Sequence, residues 1–155
     1  MAVGPDHLAI ELIAAHGPLG TAEYRIVLEV VAVGAQRSFI HLSYAYEYGT
    51  VARLAMQGYL ASAGRKKVGF TITGRTADGR PIYIGGTRGV VERNTMRYYL
   101  AIEAYLGALS APAAQQIEQR LLAWYAGAEA YPAQLHELKR TDYLNMKRKE
   151  IRRQQ

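Results

Sequence analysis

The sequence predicts an α+β fold: one domain over residues 1–155, with a four-stranded antiparallel sheet from two β-hairpins, an N-terminal helix and C-terminal helices. Two stretches of alternating apolar and polar residues, each interrupted by a turn sequence, supply the hairpins. Apolar residues at helical spacing, behind each hairpin and through the last third, supply the helices. A chain of 155 residues without cysteine suits one ordinary core, built without disulfides or cysteine-bound zinc.

Taken in order, "PDHLAIELIAAHGP" places Leu8, Ala9, Leu12 and Ile13 on one face of a short helix, capped by Asp6 and ended by Gly17-Pro18. "EYRIVLEVVAV" and "SFIHLSYAY" are rich in β-branched and aromatic residues and flank "GAQR". Ile40, Leu42, Tyr44 and Tyr46 alternate with His41, Ser43 and Ala45, the pattern of a strand with one apolar face. The period changes in "TVARLAMQGYLAS", which predicts a helix over 50–62 behind Thr50.

"KVGFTITG" and "PIYIGG" flank an Asp78-Gly79 turn and predict the second hairpin. "TRGVVERN" then reads as irregular, and "TMRYYLAIEAYLGAL" as a helix over 95–109. Aligning Ala55 with Ala101 matches Tyr59 with Tyr105 and Leu60 with Leu106. That raises a β-β-α duplication over 23–63 and 67–109, although the strands align poorly. "SAPAAQQIEQRLLAWYAG" predicts a helix with Ser110 as cap and Pro112 in its first turn, where a missing N–H costs nothing. "YPAQLHELKR" and the tail continue helical, with Thr141 as a candidate junction. The expected core is Ile26, Leu28, Val30, Ile40, Leu42, Leu54, Phe70, Ile72, Ile102, Leu106, Leu121 and Trp124.

Charge is concentrated at one end. Residues 139–155 hold 7 Lys/Arg against 2 Asp/Glu, whereas the other 138 hold 12 against 11. The net charge of +6 therefore describes the tail rather than the whole surface. On a helical wheel Arg148, Lys149, Arg152 and Arg153 span the side opposite Tyr143, Leu144 and Ile151, and with Lys147 they make up the candidate basic ridge. The ridge is a candidate nucleic-acid site, with Arg65, Lys66 and Lys67 as a second patch. Two plainer explanations compete: cations complement the helix macrodipole, and a charged outer face keeps a helix hydrated. The apolar side is a candidate docking strip for a protein partner or a second copy.

"IGGTRG" offers Gly85, Gly86, Arg88 and Gly89 as a candidate anion site, because glycine lets backbone N–H groups approach a phosphate. It lacks the Lys-Ser/Thr of a P-loop, and a turn needing positive φ explains the glycines equally. Tyr44, Tyr46 and Tyr48 present rings that either stack on bases or enter a core; sharing a face with Ile40 and Leu42 favours the core. His7, His16, His41 and His136 have no zinc-binding spacing, so no metal is expected. No residues compose a nucleophile–base set, no cofactor is implied, and catalysis is not the favoured expectation.

No run of residues is long and apolar enough to span a membrane, so the expectation is a cytoplasmic protein without a membrane partner. For function, the first expectation is a non-catalytic nucleic-acid-associated protein or subunit using its basic C-terminal helix. The alternatives are an assembly subunit docking through that helix, and a small-molecule binder or enzyme with a pocket between sheet and helices near "IGGTRG".

Overall fold

The computed structural model describes residues 2–17, 21–35, 37–62 and 64–154, and the side chains of Ala2 and Tyr48 fall outside that description, as does Pro18. The architecture is α+β. The chain divides into two compact units, residues 1–66 and 67–155.

The first unit is an antiparallel sheet of three long strands, β2 (His7–His16), β3 (Thr21–Ala32) and β4 (Ser38–Tyr48), followed by helix α1 (Thr50–Ala61). A two-residue strand, β1 (Ala2–Val3), pairs with β2 at the edge. The expected N-terminal helix is therefore strand β2. Its sequence fits both periods: Leu8, Ile10, Leu12 and Ala14 also alternate, and they stand opposite Val30, Leu28, Ile26 and Tyr24 of β3. A long-range ladder satisfies every second side chain at once, which a short isolated helix cannot match. On the other face, Arg25 pairs with Glu11 and His41 Nδ1 lies 2.9 Å from Glu29.

The hairpin β3–β4 forms as the pattern predicts, with Ile26, Leu28 and Val30 opposite Tyr44, Leu42 and Ile40. The second hairpin does not join this sheet. It forms a separate two-stranded ladder of β5 (Ile72–Arg75) and β6 (Pro81–Tyr83), closed by a turn in which Gly79 holds φ +82°. The second edge of β3 is already taken by β2, and strands of four and three residues offer too little length to compete.

The second unit continues as helices α2 (Gly86–Gly107), α3 (Ala113–Glu129), α4 (Pro132–Leu135) and α5 (Arg140–Gln154). Helix α2 begins nine residues before the expected start at Thr95 and so absorbs "TRGVVERN". Thr95 caps nothing; its hydroxyl donates to Val91 O at 3.0 Å inside the helix. The glycine-rich start forms because it is packed. Gly89 and Gly69 lie back to back, and a Cβ on Gly69 would stand 2.9 Å from Gly89 Cα. Glu92 then fixes this junction by accepting Phe70 N–H, Thr71 N–H and the Thr71 hydroxyl.

The core of the second unit centres on Leu100, Ala128 and Leu135, with Phe70, Met96 and Trp124 packed against them. Of the expected core, Phe70 and Trp124 belong here, but Leu54, Ile72 and Leu106 are more than half exposed or close to it, at 63%, 50% and 51%. The order β-β-α does recur along the chain. Yet strands of 12 and 11 residues face strands of 4 and 3, and a 12-residue helix faces one of 22.

Candidate functional site

Helix α5 is docked on its own unit. Tyr143 and Leu144 are buried, and α5 packs against α3. The Tyr143 ring stacks on Trp124 at 5.0 Å between centroids and tilts against Tyr125 at 5.4 Å. Burial, with the Glu150 carboxylate nearby, pushes the Tyr143 phenol up to about 12. Ile151 is half-buried on the same side. Of the strip expected to meet a partner, Tyr143 meets α3 and Leu144 is buried, for the ordinary reason that an apolar helix face takes the nearest apolar surface.

The ridge opposite is smaller than its sequence suggests. Arg148 donates from Nε (3.1 Å) and Nη2 to the two carboxylate oxygens of Glu118 on α3, a fork that lowers the Glu118 pKa and raises that of Arg148. Lys147 pairs with Glu150 at 2.8 Å, one turn along α5. Lys149, Arg152 and Arg153 remain exposed at i, i+3 and i+4, with no ion pair among the described residues. In the second patch, Arg65 and Lys66 are exposed, whereas Lys67 donates to the His136 carbonyl oxygen.

The glycine segment is structural in its details. Gly85 caps α2 and Gly86 takes φ +62°, the left-handed value that favours glycine. Gly89 is buried in the contact with Gly69, so its backbone faces protein. Arg88 reaches Glu92 one turn on at 3.1 Å. Partial burial alone would raise the Glu92 pKa, but hydrogen bonds from Thr71 and Phe70 and the Arg88 guanidinium outweigh it and pull it down to about 2. The four expected anion-binding residues are brought together, with a carboxylate already among them.

Tyr24, Tyr44 and Tyr46 cluster on the apolar face of the first sheet, Tyr24 and Tyr46 stacked at 5.3 Å; Tyr48 lies outside the described side chains. Their rings are half-covered by one another.

A feature that sequence reasoning missed is a cleft of about 560 Å³ between α2, α3 and α5. Its walls include Ala101, Leu121, Trp124, Tyr125, Tyr143 and Met146. Arg97, Arg120, Lys147, Glu129 and Glu137 bring charge to the lining. None of the residues lining it belongs to "IGGTRG", where the sequence places a pocket. Arg120 rests its guanidinium 4.0 Å over the Tyr105 ring, donates to Gln116 at 2.7 Å, and has a buried Nε–H without an acceptor. A donor so placed costs about 1–3 kcal/mol. "QQIEQRLLAWYAG" carries one signal for it: an arginine one turn before the only tryptophan.

Among the described residues no group of His, Asp or Glu is arranged to hold a metal ion, and no helix is long and apolar enough to cross a membrane. No family model, curated protein or solved structure matches this chain.

Proposed function

We propose that this chain is a non-catalytic, nucleic-acid-associated binding protein or subunit that contacts phosphates through the solvent-facing side of α5. The observation that supports it is the set Lys149, Arg152 and Arg153: three exposed cations without carboxylate partners, on a helix held in place by Tyr143 and Leu144. Charge segregation adds to it, since residues 67–155 hold 14 Lys/Arg against 8 Asp/Glu and residues 1–66 hold 5 against 5. Lys147 and Arg148 belong to the ridge but contribute less, because binding a phosphate means leaving Glu150 and Glu118.

The test is binding to duplex and single-stranded nucleic acid against salt concentration. Three phosphate contacts give a log–log slope of roughly −2 to −3. Substituting Lys149, Arg152 and Arg153 together by Gln abolishes the slope, while Arg148→Gln keeps most of it. No binding at low salt, or an unchanged slope in the triple variant, would sink the proposal.

A second reading, an assembly subunit, draws support from a surface other than the α5 strip. Leu8, Ile10, Ile26, Leu28, Ile40 and Leu42 share one face of the first sheet, and none of them is buried. A second copy packed on this face would raise the solution mass with concentration, and a constant monomer mass would count against it.

A further inference from the structure

We infer that the cleft between α2, α3 and α5 binds a small organic monoanion with a flat, apolar body, and that Arg120 receives its charge. The inference is independent of the phosphate-binding proposal, whose cations Lys149, Arg152 and Arg153 do not line the cleft.

Size and shape come first. About 560 Å³ lies within the range of roughly 300–1,000 Å³ typical of small-molecule sites. The walls are mainly apolar, and four of them are rings, Tyr98, Trp124, Tyr125 and Tyr143, of which Trp124 and Tyr143 lie nearly parallel, 18° apart. Such walls suit a flat hydrocarbon or aromatic body.

The charge of the ligand follows from what the lining leaves uncompensated. Arg97 donates to Asn94 and is paired with Glu137 at 2.5 Å. Glu129 lies 2.8 Å from His136 Nδ1. Lys147 is paired with Glu150. Arg120 alone among these charged groups has no ion-pair partner among the described residues, and its Nε–H has no acceptor. One unpaired guanidinium beside an aromatic wall calls for one acidic group on an apolar body. Arginine presents a planar fork of N–H donors, which matches a carboxylate or sulfonate. A dianion or a polyphosphate would find no second free cation.

The protein carries its own reporter, because Trp124 is its only tryptophan and lines the cleft. Full-length protein is titrated with anilinonaphthalene sulfonate, an aromatic monoanion, and with N-phenylnaphthylamine, its uncharged counterpart, following Trp124 emission. The expected result is saturable binding of one sulfonate per chain with quenching of Trp124. Arg120→Gln weakens the sulfonate about tenfold or more, the scale of a lost charge-assisted pair, and the neutral amine by less than about twofold. Ala101→Trp, which fills the cleft from α2, abolishes binding of both. Circular dichroism checks each variant; if Arg120→Gln does not fold, Arg120→Met carries the same comparison, since it removes the charge and keeps an unbranched apolar stem. Absence of saturable binding overturns the site. Equal losses of both probes at Arg120 overturn the anionic class, and undiminished binding in Ala101→Trp places the probes elsewhere and overturns the assignment.

Discussion

Of the nine buried hydrophobic side chains described, eight belong to residues 67–155 and one, Ala52, to residues 1–66. The first unit nevertheless has the longer strands and the more extensive ladder, running from His7 to Tyr48. Its strands are paired along their length, and Leu8, Ile10, Ile26, Leu28, Ile40 and Leu42 line up on one face, but none of these side chains is buried. The second unit has little sheet and gains its interior from helices crossing closely: a Cβ on Gly127 would lie 2.9 Å from Leu100 Cδ2. Hydrogen-bonded order and a dry core are thus separate achievements, and this chain places them in different regions.

The largest test of that contrast is a pair of truncations. Leu100 is 5% exposed at the centre of the helical core, so Leu100→Ala removes buried surface and leaves a cavity, with an expected loss of about 2–5 kcal/mol. Leu28 sits in the middle of the central strand but is only half-buried, and Leu28→Ala should lose less, about 1–2 kcal/mol, since part of its surface already meets water. Urea unfolding followed by Trp124 fluorescence reads the second unit, and hydrogen exchange of the β3 amides reads the first. Equal losses would break the comparison and show that the sheet face is covered.

A smaller effect tests how the second unit holds its sheet to its helix. Glu92 accepts three hydrogen bonds from Phe70 and Thr71 and a fourth from Arg88. Glu92→Gln replaces one acceptor oxygen by a donor facing other donors, at about 1–3 kcal/mol. The sign with pH is set by the lowered pKa. The contribution is complete above about 4.5, the ordinary value, and is lost as pH falls toward about 2, where the folded carboxylate takes its proton. The urea midpoint of the native protein should therefore fall through this window more steeply than that of Glu92→Gln. Parallel curves would remove Glu92 as the link.

How much of this was legible follows from which interactions are local. The β3–β4 hairpin, α1, the turn at Gly79 and the amphipathic tail were readable because each is written in a few adjacent residues. The segment 7–16 was not, because "HLAIELIAAH" satisfies two periods and only its distant partner, β3, selects one. The start of helix α2 is not legible, because glycines at 85, 86 and 89 lower helix propensity, whereas the packing of Gly89 against Gly69 spans twenty residues of sequence. Among site residues, the cations of α5 were found but not their partners: Glu118 lies thirty residues from Arg148. The cleft was invisible for the same reason, since its walls come from three helices and its unpaired Arg120 is defined by what does not reach it.

The smallest expected effect asks whether side chains on the polar face add anything to the first sheet. Arg25 and Glu11 stand on neighbouring strands and pair at 2.5 Å, but their side chains are 64% and 40% exposed. Water and salt screen such a pair, and ordering two long side chains offsets most of the attraction, so it contributes roughly 0–1 kcal/mol. A double-mutant cycle with Arg25→Gln and Glu11→Gln, run at low and at high salt, should give a coupling energy below 1 kcal/mol that shrinks as salt rises. A larger, salt-insensitive coupling would mean that the pair is shielded, and then the polar face, rather than the apolar one, would be the covered side of the sheet.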